Sequence, residues 1–305
     1  LFFNLFQFSE RVQKGRDFIK KNILQLAIVL LGIKISFAQL ANVSIQSISI
    51  IIIVFLLIFL TYLVLSKLWP LQKELSKLLA IGTSICGVTA IMATSSVLKS
   101  KDNDVGIAIL IVILWGSLAV LIYPFFIEWY FISDIAKGIF LGVGIHDTSQ
   151  VLAAAMVYSD LYHNDKVLEI ATITKLLRNL FLVLLIPSLL ILKNRKENET
   201  LKNFQILKSI KSSIPLFVIG FIFLIIIRTM IDVFYSNSYT WENIIVIIEN
   251  IITILFGLAL TALGASINLK KIFNQGFIPI IIGMMYSLVT FFTVCILVYL
   301  LGLNL

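Results

Sequence analysis

The sequence predicts an all-α polytopic membrane protein with an inverted-repeat architecture. Three observations lead to this prediction. The 305 residues are 60% hydrophobic and only 13% charged, and the mean hydropathy of +1.05 lies far above that of soluble globular chains. The apolar residues form runs long enough to cross a bilayer. Two pairs of glycine-containing stretches also recur along the chain with matching patterns.

Charge and cysteine content exclude several classes of function. The net charge of +8 does not indicate a nucleic-acid partner, because the basic residues cluster between apolar runs, as membrane topology requires. Cys86 and Cys295 form no C-x-x-C pair and have no metal-ligand spacing, so we expect no metal, cofactor or redox role.

No linker divides the chain, and we interpret residues 1–305 as a single transmembrane domain. The start LFFNLFQF, without Met, resembles the tail of an earlier apolar segment.

Nine apolar segments are candidate membrane spans, since a bilayer core of about 30 Å needs roughly 20 helical residues. The basic loops around 67–77 and 193–211 are expected in the cytoplasm, which leaves the C-terminus outside a bacterial inner membrane. The predicted spans are 22–38, 45–66, 78–98, 105–125, 138–158, 167–192, 213–233, 244–268 and 276–301.

Two internal similarities support the inverted repeat. LAIVLLGIKIS, residues 26–36, aligns with LALTALGASIN, residues 258–268, and the loop charges orient the two copies in opposite directions. IGTSICGVTAIMA from Ile81 aligns with LGVGIHDTSQVLA from Leu141. The nine-span count orients this second pair alike, so one copy is re-entrant, a crossing is miscounted, or the alignment is accidental. The sequence leaves these alternatives open.

Glycines predict a helix interruption in each copy of the second pair, since each lowers helix propensity by roughly 1 kcal/mol. They are Gly82 and Gly87 in the first, and Gly142 and Gly144 in the second. Unwound backbone at membrane depth must line a cavity or be buried, and a helix that restarts there directs N–H groups at an anion. Ordinary packing by small residues is the alternative. The expected substrate-binding groups beside the breaks are Thr83, Ser84, Gly87, Thr89, Thr148, Ser149 and Gln150.

Ionisable residues next to the breaks indicate function, because charge is costly inside a membrane. Lys175 and Arg178 lie on one face of the following helix and are expected to hold an anionic substrate, Arg178 in bidentate geometry. Alternatively they neutralise Asp147 and Glu169 in a structural network. In either case we expect Asp147 to lie near one of the two cations.

His146 and Asp147 are the candidate ion-coupling residues. Histidine titrates near neutral pH, and a half-buried carboxyl group beside cations can titrate within reach of that range if desolvation opposes the pairing. A neutral, hydrogen-bonded His146 is equally compatible with the sequence. An enzyme is not expected: His146, Asp147 and Ser149 lie too close along one segment to form a catalytic relay, and no nucleophile-elbow, zinc-protease or phosphate-loop motif is present.

The motifs IGTSICGVTAI, DNDVGIAI, GIHDTSQV and ATITKLLRNLFLVLLIP, in this order, resemble the YeiH-like family of bacterial inner-membrane proteins, commonly labelled sulfate exporters. The resemblance extends from about Lys14 to the C-terminus, although an acidic residue usual near Asn268 is absent. It implies a multi-pass transporter similar to the cation/proton-antiporter and bile-acid-transporter superfamily, with two broken helices crossing near the midplane. It also implies a further apolar hairpin before the start of this chain.

The predicted function is secondary active transport of a small anion, such as sulfate or a sulfonate, by alternating access, with proton coupling left open. The alternative is a cation/proton antiporter with Asp147 as the ion ligand, and a structural or signalling membrane protein is a third class. An antiporter needs acidic ligands at the break, whereas an anion carrier needs cations and helix N-termini. Expected partners are the anionic substrate and the lipid bilayer, with no nucleic acid; a homodimer is left open.

Overall fold

The computed structural model describes residues 10–35, 37–69, 73–98, 100–197, 216–235, 239–266 and 277–303, and all regular structure in these ranges is helical. A π-helical segment precedes α2 and a 3₁₀ turn follows it. The α-helices are α1 (Glu10–Phe18), α2 (Leu24–Leu31), α3 (Phe37–Leu68), α4 (Lys73–Ser84), α5 (Val88–Leu98), α6 (Asp102–Tyr130), α7 (Asp134–Gly144), α8 (Thr148–Tyr162), α9 (Asp165–Glu197), α10 (Leu216–Tyr235), α11 (Tyr239–Ser266) and α12 (Phe277–Leu300).

Three of the described helices are long and apolar enough to cross a membrane: Leu40–Leu68, Asn103–Tyr130 and Phe277–Leu300. Their outward faces carry Leu, Ile and Phe side chains, as lipid contact requires. The all-helical class of a membrane protein is therefore confirmed, whereas the count of nine spans is not. Most of the basic loop 193–211, the position of Asn268 and its following lysines lie outside the described residues.

The chain divides into two compact units, the first comprising Leu1–Val43 and Pro215–Leu269. Within this unit α2 packs on α10 and α11. Gly32, at the end of α2, lies against the backbone of α10, because a Cβ there would be 2.5 Å from the carbonyl oxygen of Phe221. Glycine is therefore required for this close approach. The single-domain interpretation of the whole chain stays a prediction.

The second unit, Ser44–Ile214 and Lys270–Leu305, contains both glycine-rich segments. The first of them is a helical hairpin. Gly87 has φ +66° and its N–H donates to the carbonyl of Gly82 at 2.9 Å, which closes the end of α4 and reverses the chain into α5. A Cβ on Gly82 would lie 2.8 Å from the side chain of Ile91, so α5 returns alongside α4.

The second glycine-rich segment is also a hairpin. After Gly144 the chain passes through Ile145–Asp147 and restarts as α8. The bases of the two helices are joined, because Asn164 donates from Nδ2 to Oδ1 of Asp134 at 2.8 Å. Lys137 Nζ and the Tyr158 hydroxyl, nearer the tip, lie 3.0 Å apart. Thus α8 returns to the end at which α7 began.

The two hairpins point toward each other along α6. The first has its base where α6 starts, since Asp102 closely follows Leu98, and the second has its base where α6 ends, since Asp134 closely follows Tyr130. The prediction that 78–98 and 138–158 are each one membrane crossing is therefore not confirmed, because each segment folds back on itself. Among the alternatives that the sequence left open was a segment that folds back, and both copies have this form.

Helix α9 lies beside both hairpins. Its first half runs parallel to α7, with Ile170 against Gly138 and Thr174 against Gly142. Further along, Leu182 packs in one buried cluster with Ile85 of the first hairpin. The middle of α9 is therefore placed at the two hairpin tips.

Candidate functional site

The four glycines singled out in the sequence lie at the hairpin tips. Gly82 is in the last turn of α4 and Gly87 in the turn that follows. Gly142 and Gly144 are in the last turn of α7. The predicted helix interruptions are confirmed, and each leaves the carbonyl groups of a helix C-terminus without partners inside the helix.

Arg178 joins the ends of both hairpin helices. The residue is 0% exposed, and its Nε donates to the Ser84 carbonyl at 2.8 Å while another guanidinium nitrogen donates to the Thr83 carbonyl. On the α7 side it donates to the carbonyls of Val143 and Ile145, the latter at 3.3 Å. One side chain thus satisfies carbonyl groups at the C-terminal ends of α4 and α7.

Lys175 bridges the same two tips one turn earlier on α9. It is also 0% exposed, and its ammonium donates to the carbonyls of Ile85 at 3.1 Å, Ile145 at 2.9 Å and His146 at 2.5 Å. Since an ammonium group has three N–H donors, all of them are used. Positive charge at a helix C-terminus is stabilising, so both cations match the ends they contact.

Asp147 lies where the two hairpin turns lead into α5 and α8, whereas the cations lie where α4 and α7 end. Its Oδ1 accepts from the Ser149 backbone N–H at 3.0 Å and from the Ser149 hydroxyl at 2.5 Å, which makes it the N-cap of α8. The same carboxylate lies against the turn before α5, because a Cβ on Gly87 would be 2.9 Å from Asp147 Oδ2. One negative charge therefore lies where two helices begin.

The expected pairing of Asp147 with a cation is not present as a direct contact. Among the described residues, neither Lys175 nor Arg178 forms an ion pair with a carboxylate. The cations are held by backbone carbonyls and the carboxylate by the start of α8. Helix ends, and not opposite charges, are the partners of these three groups.

His146 connects the second hairpin tip to α12. It is 2% exposed, and its Nε2 lies 2.7 Å from the Ser287 hydroxyl. Its Nδ1 is buried without a hydrogen-bond partner. The ring lines a cavity of about 220 Å³ between α6 and α12. Ser287 was not singled out in the sequence, because a lone serine in an apolar span carries no distinguishing pattern.

Gln150 and Thr148 tie α8 to its neighbours. Gln150 donates from Nε2 to the Ile113 carbonyl of α6 at 3.0 Å, and Gly116 leaves room for its side chain. Thr148 Oγ1 accepts from Asn179 Nδ2 of α9 at 3.2 Å. The side-chain oxygens of Gln150 and Asn179 are buried without partners. Asn179 is a residue that sequence reasoning missed, although its position directly after Arg178 was a usable signal.

The remaining predicted residues differ in their placement. The Thr83 and Ser84 hydroxyls donate to carbonyls of their own helix, at 2.8 Å to Leu79 and 3.2 Å to Ile81. Their backbone carbonyls contact Arg178 instead. Thr89 is exposed in the first turn of α5. The structure thus gathers the ionisable candidates at one place, while these hydroxyls point elsewhere.

Comparison with known proteins gives relatives of the same kind over most of the chain. A family model described as conserved hypothetical protein 698 matches residues 1–283. A UPF0324 membrane protein of Streptococcus pyogenes serotype M18 is 32% identical over 276 residues, which cover 90% of this chain and 79% of the relative. UPF0324 membrane proteins of Fusobacterium nucleatum subsp. nucleatum, at 30% over 281 residues (90% and 80%), and Streptococcus agalactiae serotype V, at 32% over 280 residues (92% and 81%), are similar. No solved structure matches.

Proposed function

Because this chain belongs to the conserved hypothetical protein 698 family, whose curated relatives are named UPF0324 membrane proteins, we propose that it is a secondary active transporter of a small anion such as sulfate or a sulfonate. The same match confirms the resemblance to the YeiH-like family. The relatives' names and the three long apolar helices support a membrane location. The nature of the substrate is argued from the charges at the hairpin tips.

The observation that carries the proposal is an excess of buried positive charge. Lys175 and Arg178 contribute two positive charges and Asp147 one negative charge. The ends of α4 and α7 each add about −0.5, and the starts of α5 and α8 each add about +0.5, so the helix ends cancel. One positive charge remains without a counter-ion in a buried place, which is unfavourable. A bound anion would supply the missing charge.

Lys175 and Arg178 act in this proposal as positioning residues. All three donors of Lys175 and four hydrogen bonds of Arg178 go to backbone carbonyls. They hold the two tips together and set the electrostatic potential. Direct contacts to the anion would come from the helix starts after Gly87 and Asp147, as at other helix N-termini that bind anions.

The opposed hairpins support alternating access. Each hairpin has its base at a different end of α6 and contributes its tip to the same cation pair. Movement of one hairpin would open the site toward one side, while the other hairpin keeps it closed toward the opposite side. In this scheme the two hairpins are the two gates.

Labelling from each side of the membrane tests the hairpin arrangement. Lys67→Cys and Lys101→Cys, both exposed, are expected to react with an impermeant maleimide from the same, cytoplasmic side, because the first hairpin returns and basic residues stay inside. Ile132→Cys should react from the other side. Cys86 and Cys295 are buried, so background labelling is low. Reaction of position 101 from the side opposite to position 67 would show that 78–98 crosses the membrane.

Flux into proteoliposomes tests the function. Purified protein is reconstituted and the uptake of sulfate, sulfite, methanesulfonate and short carboxylates is measured with and without a pH gradient. Saturable uptake of one of these anions is expected, and its dependence on the gradient reports proton coupling. Uptake no faster than in protein-free liposomes for every anion would contradict the proposal.

A cation/proton antiporter remains the second candidate because of one feature, the buried acceptors without partners on α8 and α9. The side-chain oxygens of Gln150 and Asn179 have no hydrogen-bond partner, and such oxygens together with a carboxylate suit a hard cation. The residual positive charge from Lys175 and Arg178 argues against the antiporter hypothesis, because a bound cation would increase that charge.

Asp147→Asn separates the two candidates. Asn retains the N-cap of α8 and removes a negative charge from the helix starts proposed to contact the anion. Methanesulfonate binding should therefore persist and tighten by about tenfold or more, because two like charges about 4 Å apart repel by about 1 kcal/mol in water and about 4 kcal/mol near a protein surface. The antiporter predicts loss of Na⁺ binding instead. Ligand-induced thermal stabilisation measures both, with Asp160→Asn, an exposed carboxylate of the same helix, as the control.

A further inference from the structure

We infer that the cavity between α6 and α12 holds the apolar group of an organic anion, so that the preferred substrates are sulfonates or carboxylates carrying a group about the size of a benzene ring. This inference rests on the proposed function and narrows its substrate class. Inorganic sulfate would then be a poor ligand.

The helix pair forms the cavity because it is closely packed at one point and separated further along. Gly283 of α12 lies against α6, and a Cβ there would be 2.2 Å from the Ile111 side chain. Toward the other end, Tyr123 and Phe291 pack with their ring centroids 5.6 Å apart. The large rings hold the helices apart where the glycine no longer brings them together.

Size and lining favour an apolar group. The cavity measures about 220 Å³, and an apolar protein cavity of about 150 Å³ is enough to bind benzene. Its walls include Trp115, Ala119, Leu288 and Phe291. Sulfate has no apolar group to fill these walls, and its higher charge makes its desolvation beside them more costly than that of a sulfonate.

The polar end of the cavity lies beside the buried cations. His146 and Ser287 meet there at 2.7 Å, and the backbone carbonyl of His146 accepts from Lys175 at 2.5 Å. An acidic head group at this end would lie near the excess positive charge and beside the start of α8, which closely follows His146, while its apolar group extends between the helices. Ligand sites commonly combine mostly apolar walls with a few convergent polar groups in this way.

The test compares two sulfonates that have the same head group and charge but different apolar parts, together with inorganic sulfate, which has no apolar part. Benzenesulfonate, methanesulfonate and inorganic sulfate are titrated against the purified full chain, with dissociation constants taken from ligand-induced thermal stabilisation. Benzenesulfonate should bind about tenfold tighter than methanesulfonate or better, as expected for filling an apolar pocket. Ala119→Leu, which fills the cavity, should weaken benzenesulfonate by about tenfold and leave methanesulfonate unchanged.

Two further variants complete the test. Ile122→Trp, at the exposed mouth of the cavity, should act like Ala119→Leu and replaces it if that variant does not fold. Leu121→Phe, on the exposed face of α6, should bind all anions as the parent does. Equal affinities for benzenesulfonate and methanesulfonate, or no effect of either cavity variant, would overturn this inference and leave anion transport standing. Binding and flux of none of the three anions would overturn both.

Discussion

Arg178→Ala is expected to lower the stability of the fold by about 3 to 9 kcal/mol, because three buried carbonyls each lose their side-chain donor at a cost of about 1 to 3 kcal/mol. These are the carbonyls of Thr83, Ser84 and Val143. Ile145 keeps a donor in Lys175. Both hairpin tips lose their common partner at once, so the folded protein should be scarce or absent after purification.

The measurement is the midpoint of thermal unfolding in detergent, together with the yield of monodisperse protein. Lys166→Ala, an exposed cation of the same helix, is the control and should match the parent. Arg178→Lys retains the charge but lacks the forked donors that reach two helix ends. Its unfolding midpoint should therefore lie between those of Arg178→Ala and Lys166→Ala. An Arg178→Ala variant as stable as Lys166→Ala would show that the guanidinium does not hold the hairpins together.

This prediction differs from the one that the sequence alone supports. From the sequence, Arg178 is a substrate ligand whose removal abolishes anion binding even when the protein stays folded. The cost of charge inside a membrane indicates that such a residue has a partner, but it does not identify that partner. The partners are backbone carbonyls on two segments far apart in the chain, and no pattern of side chains reveals them.

The helix breaks could be predicted because glycine acts locally. Gly82 and Gly87 reduce helix propensity wherever the chain goes next, and the interruption follows. The direction after the break could not be predicted, since a crossing span and a hairpin of two half-length helices have the same length and hydropathy. Direction is set by the positive φ of Gly87 and by the contact between Asp134 and Asn164.

The sequence identified the ionisable residues of the site but did not predict their partners. Lys175, Arg178, His146 and Asp147 stand out because charge is rare in apolar segments, and the structure gathers them. The sequence predicted that the helix starts attract an anion. It did not predict that the Asp147 carboxylate itself lies at one of these starts. Any substrate anion therefore shares that region with a carboxylate.

Gly87→Ala should separate the two hairpin tips and abolish anion flux. An alanine with φ near +66° costs about 1 to 2 kcal/mol from backbone conformation alone. Its Cβ would also lie 2.9 Å from Asp147 Cβ and 3.0 Å from Asp147 Cα. The second distance involves backbone, which cannot rotate away, so the tip around Asp147 must move.

Gly302→Ala is the matched control, because Gly302 has φ +65° and nothing within 4 Å of an added Cβ. Both variants carry the same backbone cost, and only Gly87→Ala disturbs the contact between the tips. The midpoint temperature of thermal unfolding should therefore decrease more for Gly87→Ala than for Gly302→Ala. Anion flux should be lost only in Gly87→Ala. If both variants lose the same stability and both transport, the contact between Gly87 and Asp147 has no part in the transport cycle, and the two hairpins can close the site without it.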